Sequence, residues 1–220
     1  VHKSPPSLTH ELLHVKGDKL LSLVDYLSED RRRSRGDRTV LVFCRGVQSA
    51  RAVQHALSEA RYSVAGCHGS MSAEARKDAL DGFTSSPPRY DVLVATDLAA
   101  RGLHLPNAPH VLNFDFPATS SLYLHRAGRT ARMGAAGKVT SLVTKHEQRA
   151  ADALQLALAS RSELHTIRGV SQRDASPRLP PPAVGSRMPA LPTRDRLRLV
   201  RKGAEQSGAR IRERRTEKKG

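Results

Sequence analysis

The sequence has no tryptophan, only four phenylalanines and four tyrosines, and only two cysteines. Cys44 and Cys67 each lie inside an apolar run, which excludes a disulfide framework and leaves them as small core residues, as suits a reducing intracellular compartment. No apolar run approaches the roughly 18 residues a membrane span needs, and no signal-peptide core opens the chain, so no membrane partner is expected. Histidine is present, but none falls in a HExxH or CxxC pattern, so no metal site is expected. A GxxxxGK[ST] phosphate loop is missing too. Gly134-Ala-Ala-Gly137-Lys138 comes near it, but Arg132 and Val139 stand where Gly and Ser or Thr are required. Finally, acidic residues are scarce: 21 Asp and Glu against 37 Lys and Arg leave a net charge of +16. Such an excess favours a polyanionic partner, because clustered cations release counterions from phosphates.

What is present is alternation. From Leu8 to Lys145, short runs rich in Val, Leu and Phe alternate with segments of helical period, the signature of an α/β domain on a parallel sheet. Strands are expected at Glu11–Val15, Thr39–Cys44, Val64–His68, Asp91–Ala95, His110–Phe114 and Lys138–Val143. Helices are expected over Asp18–Leu27 and Ser49–Ala60, each with one apolar face, and after an N-cap at Ser72 as far as the Ser85-Ser86-Pro87-Pro88 breaker. Arg31 to Gly36 has no apolar face and reads as a solvated loop. An Ala- and Leu-rich helix should follow Lys145 and run to about Arg161. The chain starts at Val1 rather than Met, so an upstream part is expected. The organisation read from this is a linker end and first strand over 1–17, a domain over 18–161, and a Pro- and Arg-rich tail over 162–220. From Ser171 to Gly220 there are 14 Lys or Arg against 5 Asp or Glu, with prolines that oppose a core, so the tail should be largely disordered and hold a nucleic-acid backbone nonspecifically.

The densest chemistry lies in Tyr123-Leu-His125-Arg126-Ala-Gly128-Arg129-Thr-Ala-Arg132. Arginines at i, i+3 and i+6 would line one side of a helix and suit a triphosphate. This segment resembles motif VI of DEAD-box helicases, HRxGRxxR. Val92 to Leu103, with Thr96-Asp97-Leu-Ala-Ala-Arg101-Gly102, resembles motif V. Val40-Leu-Val-Phe43-Cys44 resembles the motif IV strand, and His68-Gly69-Ser70-Met71 with Arg76 resembles the RNA-contacting segment of the same domain. Four motifs in family order identify the chain as similar to the C-terminal RecA-like domain of an ATP-dependent RNA helicase.

That resemblance implies a three-layer RecA-like fold acting as a monomer. It also implies ATP with Mg2+ held mainly by an N-terminal RecA-like domain of the same protein, which would carry the phosphate loop and the Asp-Glu-Ala-Asp motif absent here. Arg129 and Arg132 would be arginine fingers toward the γ-phosphate, His125 and Arg126 would couple the two domains, and Gly102 and His104 would lie at the nucleotide ribose. Arg45, Gly46, Gly69, Ser70, Arg76 and Thr96 would contact the RNA backbone. The chain departs from the family at three places. His104 replaces the ribose-holding Asp, Ala73 replaces the Gln of the QxxR element, and Arg45-Gly46 replaces Asn-Thr. The first two allow a rival reading as a degenerate RNA- or partner-binding module, and a DNA helicase of the same superfamily is the other rival. Met133-Gly-Ala-Ala-Gly-Lys-Val-Thr-Ser-Leu-Val is similar to plant organellar members acting on ribosomal RNA, which implies ribosome assembly in a plastid or mitochondrion.

Overall fold

The computed structural model describes residues 7–34, 39–102, 105–132 and 134–159. Its strands are β1 (Leu8–His14), β2 (Val40–Cys44), β3 (Val64–Cys67), β4 (Val92–Thr96), β5 (His110–Asn113) and β6 (Gly137–Val143). Its helices are α1 (Lys19–Arg33), α2 (Val47–Glu59), α3 (Ala73–Thr84), α4 (Asp97–Gly102), α5 (Ser120–Ala127) and α6 (Gln148–Ala159), the last entered through a 3-10 turn at Lys145–Glu147. All strand pairs are parallel, in the order β1-β6-β5-β2-β4-β3. This is the expected RecA-like α/β sheet.

The unbroken apolar runs explain the centre of the sheet. Every residue of β2, β4 and β5 is buried, as strands covered on both faces require. Alternate side chains divide between two cores. Val40, Val42 and Cys44 face Leu23, Val24 and Leu27 of α1 and Ala50, Val53 and Leu57 of α2. Leu41 and Phe43 face the layer of Ala79 and Phe83 from α3, Tyr123 from α5 and Leu154 from α6. Each fully buried leucine in these layers contributes about 1.5–3 kcal/mol from removal of apolar surface from water. Both cysteines are buried core residues, as expected.

Capping sets most helix starts. The Asp18 carboxylate accepts from the Leu20 and Leu21 amides, Ser72 Oγ from Ala75, and Thr119 Oγ1 from Leu122. One expectation is corrected at the end of α1. Arg31, Arg32 and Arg33 form its last turn instead of a loop. Cations there oppose the negative end of the helix dipole, and Glu29 holds Arg32 at 2.8 Å and Arg33 at 3.1 Å. Arg31 lies over the Tyr62 ring at 5.3 Å and meets Asp91 at 3.5 Å. The rest of the expected loop, 35–38, and the tail from 160 lie outside the described residues.

At the amino end of β5 a polar network crosses the α1 face. His110, fully buried, bonds Asp30 Oδ2 and Thr140 Oγ1, both at 3.0 Å. Thr140 and Tyr26 donate to Glu11, and Lys138 Nζ sits 3.1 Å from Glu11 and 3.2 Å from Asp30. Every partner is satisfied, so this end of the sheet is held by polar bonds as well as by packing.

Candidate nucleotide and nucleic-acid interface

In an open parallel sheet ligands gather beyond the carboxyl ends of the strands, where the strand order reverses. Here β2 leads through α2 toward β3 on one side, whereas β5 leads through α5 toward β6 on the other. The crevice therefore opens between the ends of β2 and β5. Asp115, just past β5, ties it together. Its Oδ2 accepts from the Arg45 amide at 2.8 Å and from Ser49 Oγ, while Lys19 Nζ lies 3.6 Å from Oδ1. The residues expected to meet RNA cluster at this edge. Arg45 and Gly46 follow β2, Gly69 and Ser70 follow β3, Thr96 ends β4, and Arg76 lies in the second turn of α3. Arg45, Gly69 and Ser70 are exposed, Gly46 and Arg76 are half-buried, and Thr96 is buried beneath them at 3 % exposure. Gly46 caps α2 in extended backbone with no side-chain cap bond.

The arginine-rich segment does not form the expected row. Helix α5 ends at Ala127, and Gly128 closes it with its amide on the Leu124 carbonyl at 2.8 Å. The chain then turns through Arg129 N to Arg126 O and Thr130 N to Ala127 O, and Ala131 takes a φ of 53°. Thr130 Oγ1 anchors this turn on the Pro109 carbonyl at 3.2 Å. A Cβ at Gly137 would run into Thr130 Oγ1 and the Ala131 amide, so only glycine lets β6 pass so close.

The turn sends the three arginines to different places. Arg126 points inward at 2 % exposure. Its Nε and Nη2 grip both carboxylate oxygens of Asp97 at 2.8 and 2.6 Å. Its Nη1 donates to Asn113 Oδ1 at 3.0 Å and to the Asp115 carbonyl at 2.7 Å, and the guanidinium lies 5.1 Å from the Phe43 ring centroid. These four bonds engage Arg126 inside this domain, joining α4, β5 and α5. His125, one position earlier, is exposed. Arg129 is half-buried and donates to the Leu105 carbonyl at 3.2 Å. Arg132 is exposed and donates to the Gly128 carbonyl at 2.7 Å. Burial, and secondarily the like charge of Arg132, lower the pKa of Arg129, although a guanidinium stays protonated. Among the described residues neither of these two cations meets a carboxylate. Gly102 ends α4, and His104 lies outside the described residues.

Sequence reasoning missed Asp97, Asn113 and Asp115 as the frame behind this edge. Asp97 stands in the motif V segment, but nothing in the sequence pairs it with a residue 29 positions on.

A family profile described as "Helicase conserved C-terminal domain" matches residues 18–134. Among curated proteins, the chain is 42% identical over 169 residues to DEAD-box ATP-dependent RNA helicase 39 of Arabidopsis thaliana, covering 76% of this chain and 27% of that protein. It is 42% identical over 137 residues to ATP-dependent RNA helicase dbp3 of Aspergillus clavatus, covering 62% of this chain and 27% of that protein. The chain thus spans about a quarter of the length of these curated relatives. Among solved structures, the E. coli DEAD-box protein SrmB, bound to regulator of ribonuclease activity A, is 35% identical, with a TM-score of 0.56 over 64% of this chain and 81% of that one. With the motifs on one edge of a RecA-like sheet, the chain belongs to the DEAD-box helicase family and forms its helicase C-terminal domain.

Proposed function

We propose that this chain is the half of an ATP-dependent RNA helicase that completes the ATPase site and grips the RNA backbone. The observation that carries the reading is the pair Arg129 and Arg132, two neighbouring cations held on main-chain carbonyls, with no carboxylate on either among the described residues. Guanidiniums are costly to crowd unless an anion arrives, and a fork of always-charged donors suits a phosphoryl group. By the family resemblance, the nucleotide's Mg2+ would be held mainly by the N-terminal domain.

The chemistry of this chain is then positioning. Arg129 and Arg132 donate to the γ-phosphate when the domains close and stabilise the charge that spreads over it, an effect worth about 10³–10⁵ in rate for such fingers. His125 faces outward to the partner domain, and Arg126 acts through Asp97 by holding motif V against motif VI. Gly102 and His104 would lie at the ribose, His104 without the acceptor strength of a carboxylate. Arg45, Gly46, Gly69 and Arg76, with Thr96 beneath them and Ser70 in the same turn as Gly69, would contact RNA phosphates and so read backbone rather than sequence. Closure bends the bound strand out of its duplex, and hydrolysis reopens the cleft.

Ribosomal RNA as the substrate and an organelle as the setting extend the proposal and rest on the likeness of the segment after Arg132. The tail over 162–220 would anchor RNA by charge. The test is unwinding by the full-length protein of matched RNA and DNA duplexes with ATP. ATP-dependent strand release from RNA is expected. Unwinding of DNA alone, or of neither, would refute the reading.

A further inference from the structure

We propose that Arg51, on α2, is a further RNA-phosphate contact of this domain, aimed by a hydrogen-bonded relay through Ser70, His68 and Gln54. The inference rests on the RNA-gripping reading of this edge and adds a residue to it.

The relay has one consistent set of donors. Gln54 Oε1 lies 3.1 Å from His68 Nε2, and an amide oxygen can only accept, so the imidazole proton sits on Nε2. Nδ1 is then an acceptor, and Ser70 Oγ, 3.0 Å away, donates to it. With its proton spent on His68, Ser70 has only lone pairs to offer, and Arg51 Nη2 donates to one of them at 3.0 Å. Burial, and next the charge of Arg51, lower the pKa of His68, which keeps the ring neutral and the relay in this sense near pH 7. His68 itself is only 5 % exposed.

The backbone makes room for this arrangement. A Cβ at Gly66 would stand 2.5 Å from Gln54 Nε2, so the amide, as it lies on His68, occupies space that the glycine of β3 leaves open. Gly66 thus lets a core strand admit a polar side chain whose sole described bond runs to the start of the Gly69-Ser70 turn.

The chemistry of the corner follows. Ser70 cannot donate to a phosphate while its proton is held by His68, so its part is to orient Arg51. The guanidinium is exposed and, among the described residues, has no carboxylate partner. One of its five N–H groups is fixed on Ser70, which sets the plane of the fork, and the others remain for an anion passing along the Gly69-Ser70 turn. The partner recognised is the phosphodiester backbone of single-stranded RNA.

The test is binding of the full chain to a fluorescein-labelled single-stranded oligouridine, by anisotropy across a salt series. Four variants are needed: Arg51→Ala, Ser70→Ala, the double variant, and Arg76→Ala as the control for the RNA-gripping reading. Arg51→Ala is expected to weaken binding by about three- to tenfold and to reduce the slope of log K against log salt by about 0.7. Ser70→Ala should weaken binding with the slope retained, and the double variant should be no weaker than Arg51→Ala alone. A loss with Arg76→Ala but not with Arg51→Ala would overturn the inference and leave the RNA-gripping reading standing. Multiplicative losses in the double variant would overturn the relay. No loss with either arginine would remove both readings together.

Discussion

Replacing Arg126 by alanine should cost this domain more stability than any other single change in the HRAGRTAR segment. The side chain makes four hydrogen bonds, two to the Asp97 carboxylate at 2.8 and 2.6 Å, one to Asn113 and one to the Asp115 carbonyl. It does so at 2 % exposure, where water cannot substitute for it. Truncation leaves the Asp97 carboxylate without its counter-charge and opens a void beside Phe43. Removing one partner of a buried ion pair costs about 3–5 kcal/mol, which for a domain of this size lowers Tm by roughly 6–20 °C. The assay is urea unfolding followed by far-ultraviolet circular dichroism, in which the midpoint should fall with m unchanged. Arg126→Lys keeps the charge but loses the two-pronged grip and should fall between. Arg129→Ala and Arg132→Ala should each stay within about 0.5 kcal/mol of wild type, because their side chains lie at the surface edge. A loss below about 1 kcal/mol for Arg126→Ala, the size of an exposed ion pair, would refute the structural role given to it.

Two further outcomes follow from buried polar groups. The hydrogen bond with His110 leads the effects that hold the Asp30 carboxyl down to about 2, below its usual 3.8. Its folded-state pKa is depressed, so its contribution to stability is present in full above the unfolded value and is lost as pH falls toward 2. Asp30→Asn should flatten the decline of the urea midpoint between about pH 4 and pH 2, roughly the span between those pKa values, and an unchanged acid limb would contradict the network. Burial pushes the Cys44 thiol up to about 12 and raises that of Cys67 as well. A chromogenic disulfide reagent at pH 8 should therefore leave both thiols unreacted until denaturant is added, and fast labelling of the native chain would show that the core opens at β2 or β3.

The elements easiest to read in the sequence were those whose evidence is local. Val40–Cys44 and Val92–Thr96 are continuous apolar runs between breakers, and Ser72 announces α3 by the capping chemistry it performs. Residues 31–33 misled because this last turn of α1 adds nothing to the helix's apolar face; it is carried by Glu29, the dipole and the Tyr62 ring. The arginine segment misled for a different reason. A spacing of i, i+3, i+6 places three side chains together only while the helix lasts, and α5 stops at Ala127. Charge alone could not tell Arg126, locked on Asp97, from Arg129 and Arg132, because the partner that separates them is brought near only by the sheet. The same holds for Asp115 and for the bond from Arg51 to Ser70. Pairings across tens of residues are a property of the fold and are absent from any window of sequence.

The central claim is that Arg129 and Arg132 complete an ATPase site on another domain. The most direct measurement is RNA-stimulated ATP turnover by the full-length protein, comparing wild type with Arg129→Ala and Arg132→Ala at matched folded fraction. The account predicts robust wild-type turnover that falls by about 10³-fold or more in either variant, with the urea midpoint unmoved. Turnover in both variants within a fewfold of wild type would contradict it, leaving these arginines as surface charge and the domain as an RNA-holding module.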